Sequence, residues 1–205
     1  AFINKMDRTG ADAYSVVEQM DNRLNANPVM MQIPMGAGET YEGCIDLIRM
    51  FALYNDGEHG EVVREEECPA DYLEKAKEKR VEMLDALSMY SDEMMELLLE
   101  EKEVPLDLIY KTTRDAVLAR GITPVYMGTA FKNKGVQPLL DAVTQFLPSP
   151  YDREMKALNW ENPDESMILE PVKDKPFVGM AFKIVEDEYG QLTYTRIYQG
   201  TIKKG

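Results

Sequence analysis

The sequence predicts an α/β protein: a sheet domain interrupted by an α+β inserted subdomain and followed by a separate β unit. Three observations carry that expectation. Two short apolar patterns, Ala1–Ile3 and Thr123–Met127, each lead through a polar loop into an amphipathic helix, the order expected of an α/β sheet. Residues 28–120 stand between them, although a crossover needs only a dozen or so residues. From Pro176 the period becomes two, with Val178, Met180, Phe182 and Ile184 alternating, which argues for a half-buried strand.

Each element has a local reason. After the Asn4–Gly10 loop, a helix is expected over 11–24, with Val16, Val17, Met20 and Leu24 on its apolar side; Asn25-Ala26-Asn27-Pro28 stops it. Val29–Pro34 is apolar, Gly36-Ala37-Gly38 turns the chain, and Tyr41–Tyr54 reads as one long strand or a pair. Asn55-Asp56-Gly57 is a turn signal before a charged edge strand over 61–67. Pro69 suits a first helical position, and helices are expected to about Ser88, over 92–101 and over 105–120, the last closed by Gly121. Beyond the 128–133 loop, Val136, Leu139, Leu140, Val143 and Phe146 recur at helical spacing. Residues 151–175 are polar and proline-spaced and read as a linker; Glu188-Tyr189-Gly190 turns the final strand pair. The expected parts are thus 1–27 with 121–150, the insertion 28–120, the linker 151–175 and the β unit 176–205.

Composition bounds the function. At 205 residues and 44% hydrophobic the chain can bury a sizeable core, and a net charge of −14 argues against nonspecific nucleic-acid or membrane binding. A basic partner surface fits better. Cys44 and Cys68 are too few for a disulfide scaffold and read as reduced thiols. No apolar run approaches the ~20 residues of a membrane span. The chain starts without Met on apolar residues and stops inside a strand pattern, so both ends are expected to lie within a longer protein.

Asn4-Lys5-Met6-Asp7, directly after a strand, carries the chemistry. Guanine offers an N1–H and a 2-amino group side by side. An ionised Asp is acceptor-only with two oxygens and can take both; adenine would leave that carboxylate unpaired. The Asn amide can donate to the purine N7/O6 side and tie loops together, and the Lys stem can lie along the base. Ligands of open α/β sheets bind outside the carboxyl ends of strands, where this loop lies. The alternative is a plain surface loop with an Asp near a helix start. The loop from Gly128 to Gly135 follows the other strand, and its small Ala130 lets backbone N–H groups approach a ligand carbonyl such as guanine O6.

At this point Phe2–Gly10 and Gly128–Pro150, read with Ala181–Gly205, closely resemble the elongation factor G family of translational GTPases. The run Lys132-Asn133-Lys134-Gly135-Val136-Gln137-Pro138-Leu139-Leu140-Asp141-Ala142-Val143 is the most specific part, and the resemblance covers essentially the whole chain. It implies the C-terminal part of a P-loop GTPase-type sheet domain, then the first strands of a β-barrel. It implies guanine-binding roles for Asn4, Lys5, Asp7, Thr129, Ala130 and Phe131, and GTP or GDP as ligand of the parent protein. Tyr198-Gln199-Gly200 departs from the family's usual Tyr-Ser-Gly, and Thr129 stands where Ser is common; both lean toward organellar-like or paralogous members. A cytoplasmic or organellar-matrix location follows from the same likeness.

Phosphoryl transfer in such proteins needs a Gly-x4-Gly-Lys-Ser/Thr loop and a Mg²⁺ site. No Gly-Lys dipeptide occurs in this chain, and Asp7-Arg8-Thr9-Gly10 is a decoy that overlaps the base motif. No catalytic residue and no metal ligand are assigned, and the chain alone is expected to bind no nucleotide and hydrolyse none. His59, in a Gly-rich turn, reads as a solvated loop residue. Asp71, Glu74, Glu78, Glu82 and Asp85 fall within an arc of roughly 80° on the 69–88 helix. They make either an ordinary solvated face or a docking stripe for a basic partner. The family resemblance implies the ribosome as partner, its stalk protein at this stripe, and rRNA through the parent protein. The other readings are a protein-binding module, or a release-factor or ribosome-protection GTPase. The final strand pair has open edges and, as two strands, is expected to be disordered, to pair with a neighbouring chain or to pack on the rest of the chain.

Overall fold

The computed structural model describes residues 1–188 and 190–204. The chain divides into two compact units, Ala1–Leu147 and Pro148–Gly205.

In the first unit β1 (Phe2–Ile3) leads to α1 (Ala13–Leu24). Asp12 starts α1: its Oδ1 accepts from the Tyr14 and Ser15 N–H groups at 2.9 and 3.2 Å. Asn25, with φ 50, ends it in the left-handed conformation that Asn tolerates. β2 (Pro28–Met30) and β3 (Gln32–Met35) follow. The Tyr41–Tyr54 pattern resolves into β4 (Gly43–Asp46) and β5 (Phe51–Asp56). The break has a cause: Asp46 Oδ1 accepts from the Ile48 and Arg49 N–H groups at 2.8 and 3.1 Å, folding the chain back on itself. β6 (Val62–Glu67) completes an antiparallel sheet of order β3-β4-β5-β6, with the charged β6 at its edge.

Three helices follow: α2 (Ala70–Ser88), α3 (Asp92–Leu99) and α4 (Leu106–Leu118). Pro69 stands one position before α2, as its N-cap rather than its first helical residue. Ser91 caps α3, its hydroxyl accepting from the Met94 N–H at 3.2 Å. Gly121 does not take the left-handed cap of α4. Arg120 does, with φ 59, and the Gly121 N–H closes onto the Ala116 carbonyl at 2.8 Å. Gly121 is instead needed for space, because a Cβ there would run into the Tyr90 ring.

β7 (Thr123–Met127) then enters between β1 and β2, parallel to both, giving a three-stranded sheet of order β1-β7-β2. α5 (Val136–Phe146) closes the unit. Its core is continuous across both sheets: Ile33, Ile45 and Leu47 meet Met83, Leu87, Ile109 and Phe146 in one buried cluster. A second cluster of Ile3, Met6, Ala13, Tyr41, Leu53, Val125 and Met127 lies under the loops that follow β1 and β7. Cys44, a free thiol, is buried in it, and burial pushes its pKa up to about 12.

The second unit holds two antiparallel hairpins. β8 (Met155–Leu158) pairs with β9 (Ser166–Leu169), so residues expected as a linker contain a strand pair of their own. Gln199 explains the order there: its side chain accepts from the Glu170 N–H at 3.0 Å and donates to the Pro176 carbonyl at 3.2 Å. β10 (Val178–Asp187) pairs with β11 (Gly190–Gln199) in a separate two-stranded sheet. Tyr189 of the expected turn lies outside the described residues. The alternation is present, but Met180, Phe182 and Ile184 are exposed rather than half-buried, at 51, 59 and 62%. Two strands supply one layer and no opposing face to cover it.

Leu87 is fully buried where α2 joins the larger core cluster. Leu87→Ala is expected to lower stability by about 2–5 kcal/mol in urea titration. A loss under about 1 kcal/mol would mean that α2 is not docked on that cluster.

Candidate base-recognition site

β1 and β7 are parallel neighbours, with Ile3 opposite Met127, so the loops after them leave the sheet side by side. Met6 anchors the first loop. Its side chain is 1% exposed, its N–H donates to the Gly128 carbonyl at 3.0 Å, and its carbonyl accepts from Gly38 N–H at 2.8 Å. With Met6 turned inward, the flanking Asn4 and Lys5 are exposed. Lys5 adopts φ 65, a left-handed conformation that costs an L-residue about 1–2 kcal/mol. The Asn4 Oδ1, accepting from the Lys5 N–H at 2.8 Å, helps to hold it.

The second loop is a short closed turn. Thr129 and Lys134 form a bridge, with Thr129 N–H donating to the Lys134 carbonyl at 3.0 Å and Lys134 N–H to the Thr129 carbonyl at 3.1 Å. Asn133 supplies the left-handed corner at φ 54. Gly128 and Gly135 permit close approach: a Cβ on the first would strike the Lys134 carbonyl, and on the second the Met127 carbonyl.

Three side-chain bonds join the loops. Asn4 Oδ1 accepts from the Ala130 N–H at 2.9 Å. Thr129, 2% exposed, donates its hydroxyl to Asp7 Oδ1 at 2.7 Å. Lys132 Nζ lies 2.9 Å from Asp7 Oδ2. Together these bonds hold the Asp7 carboxyl down at about 2, Lys132 contributing most and Thr129 next. Asp7 is therefore an anion throughout the physiological range. Thr129 and Lys132 take one lone pair on each oxygen, and an ionised carboxylate has about four, so acceptor capacity remains for further N–H groups.

The structure thus brings Asn4, Asp7, Thr129 and the Ala130 backbone into one hydrogen-bonded network. Lys5 and Phe131 are exposed and outside it; Phe131 lines a groove with His59 and Asn133. His59 itself is exposed. The Ala130 N–H donates to Asn4 Oδ1. Sequence reasoning missed Lys132 as the partner of Asp7, and Met6 as the anchor. The apolar residue inside an otherwise polar Asn-Lys-Met-Asp run was the available signal for Met6.

On α2, Asp71, Glu74, Glu78, Glu82 and Asp85 are all exposed, opposite the buried Ala76, Met83, Leu84 and Leu87. Two of the five have basic neighbours: Glu74 with Lys77 at 3.1 Å and Glu82 with Lys79 at 2.7 Å. Among the described residues no His, Cys, Asp and Glu cluster could hold a metal ion, and no helix is long and apolar enough to cross a membrane.

The lowered pKa of Asp7 has a definite sign. Its pairing stabilises the fold fully above the ordinary carboxylate range, and that contribution is lost progressively as pH falls from there through about 2. An NMR titration should place the Asp7 carboxyl midpoint near 2, and Lys132→Met should raise it. An ordinary midpoint in the native chain would refute the Lys132 and Thr129 pairing.

Residues 1–149 match the family described as the elongation factor Tu GTP binding domain. The whole chain is 60% identical to elongation factor G of Rhodopirellula baltica and 51% identical to elongation factor G 1 of Borreliella afzelii. It spans 29% and 30% of those proteins. A crystal structure from Thermus thermophilus superposes with a TM-score of 0.73 at 26% identity, over 97% of this chain and 27% of that one. The paired loops of β1 and β7 thus sit in a known GTP-binding framework: the chain belongs to the elongation factor Tu GTP-binding domain family and aligns along its full length with a segment of elongation factor G.

Proposed function

We propose that this segment carries the base-reading half of the GTP site of a ribosomal translocase GTPase. The observation that carries the reading is Asp7, kept ionised between Thr129 and Lys132 at the carboxyl ends of two neighbouring parallel strands. Asp7 accepts the N1–H and 2-amino groups of guanine. The Asn4 NH₂ donates toward N7, and the exposed Lys5 stem lies along the base face. Phe131 closes the outer side of the second loop. The phosphates and Mg²⁺ belong to a Gly-Lys-containing loop that this chain does not have. The parent protein therefore turns over GTP, while the purified chain with GTP and Mg²⁺ should release no phosphate above buffer.

Residues 31–120, with the β3–β6 sheet and α2–α4, are read as an inserted subdomain of that GTPase; the boundary expected at 28 moves because β2 (Pro28–Met30) pairs with β7 in the β1-β7-β2 sheet, and β10–β11 are read as the opening strands of a β-barrel. The exposed acidic stripe of α2 supports a second role, docking a basic surface of the ribosomal stalk protein. Contacts of the parent with rRNA, and a cytoplasmic or organellar-matrix location, belong to the same proposal.

Calorimetry on the full-length factor tests the base reading. GDP should bind at least about a hundredfold more tightly than ADP, because a polar site rejects ligands that leave its groups unpaired. Asp7→Asn should reverse the preference toward xanthosine diphosphate, whose 2-oxo group needs a donor where guanine needs an acceptor. Unchanged GDP affinity in Asp7→Asn would sink the assignment. For the stripe, Glu78→Lys with Glu82→Lys should weaken stalk-protein binding about tenfold at unchanged helix content. Unaltered binding would leave α2 an ordinary solvated face.

A further inference from the structure

We propose that Asn55 is a positioning residue for the second base loop, locking it to the β3–β6 sheet; the inference rests on the guanine-site reading above. Asn55 lies in β5, 80 residues before the loop it touches. Its Oδ1 accepts from the Gly135 N–H at 3.0 Å. Its Nδ2 donates to the Gly60 carbonyl at 3.2 Å and to Gln137 Oε1 at 3.3 Å. Gln137 Nε2 completes the ring, donating to the same Gly60 carbonyl at 3.1 Å.

The chemistry restricts what can stand at this position. Gly135 can only donate and the Gly60 carbonyl can only accept, so the side chain between them must do both. Asp retains the acceptor and lacks the donor. A hydrocarbon lacks both and strands the N–H of buried Gly135, while the Gly60 carbonyl keeps only its bond from Gln137. Backbone shape points the same way. Gly60 has φ +64, and a Cβ on it would press into the Lys132 carbonyl, so the β5–β6 turn lies directly against the base loop. Gly135 has φ +76 and no space for a side chain. Both glycines serve a close approach that Asn55 and Gln137 then fasten.

What is fastened is the loop that carries Thr129 and Lys132 to Asp7. The Asn55 bond to Gly135 fixes the residue just after the Thr129–Lys134 bridge. On the other side the same sheet's β3–β4 connection reaches the first loop, where Gly38 N–H donates to the Met6 carbonyl at 2.8 Å. Both base loops are therefore held from one platform, and Asn55 is its fastening on the second. A ligand whose affinity depends on pre-ordered donors and acceptors loses residence time when that order is relaxed.

The test uses the full-length factor, with GDP and ADP as probes. Asn55→Ala should release GDP about tenfold faster, the factor expected for losing a bond of this class, with a small fall in melting temperature from the stranded Gly135 N–H and with the rejection of ADP kept. Asn55→Asp should fall between, since it keeps the Gly135 acceptor. Amide exchange should quicken at Gly135 in Asn55→Ala. Unchanged GDP release in Asn55→Ala, in a factor that still prefers GDP to ADP, overturns the positioning role. Absence of any GDP preference in the parent overturns the guanine reading instead. Exchange at Gly135 then decides the clamp alone: faster exchange in Asn55→Ala upholds it, and unchanged exchange overturns it. If Asn55→Ala does not fold, Asn55→Ser, which shortens the side chain and removes the amide, is read by the same outcomes.

Discussion

The parallel pairing of β1 with β7 is the constraint on which the rest depends. It aligns Ile3 with Met127 and so sets Asp7 within hydrogen-bond reach of Thr129, a residue 122 positions away. Neither loop has the site alone. The first brings a carboxylate and an amide; the second brings the hydroxyl and ammonium that keep the carboxylate charged. Closing so long a loop has an entropic cost, but that cost grows only logarithmically with length. The buried cluster of Ile3, Met6, Val125 and Met127 offsets it by removing apolar surface from water at the same junction.

Much of this was legible in the sequence, for reasons that differ by residue. Thr123–Met127 agrees with the expected strand to the residue, because a helix pattern ends just before it and a Gly opens the loop just after. Asn4 and Asp7 stood out because their donor and acceptor capacities complement one base edge, and in the structure both bond to the second loop. Lys132 as a partner was not legible. Lysines are common in loops, and its distance to Asp7 depends on strand order, which no local pattern encodes. Asn55 was read as a turn residue, but it lies within β5, one residue before the strand ends, and its side chain acts on Gly135 across the fold.

The misreadings have the same origin. Gly121 follows the general preference for glycine at helix ends, yet its neighbour Tyr90, thirty-one positions earlier, made it a spacing residue and left the cap to Arg120. Residues 151–175 carry prolines and charge, the marks of a linker, but one buried glutamine, Gln199, organises the chain at both Glu170 and Pro176. β10 alternates as a half-buried strand should, and the burial it calls for needs a layer that its own unit does not supply. Periodicity reports which face a strand has to bury; it does not report what covers that face.

The 122-residue separation of Asp7 from Thr129 also sets a timetable. A chain is made from its N-terminus at about 5–20 residues per second, so on the order of ten seconds pass between synthesis of the two loops. Throughout that interval Asp7 exists without Thr129 and Lys132, and β1 without the strand that flanks it. The β3–β6 sheet, whose strands are all local neighbours in sequence, can assemble first and stand ready as the surface on which the later loop settles. The paired loops are then among the last parts of this unit to mature, and a nascent chain lacks the pairing of Asp7 with Thr129 and Lys132 until nearly the whole unit has been made.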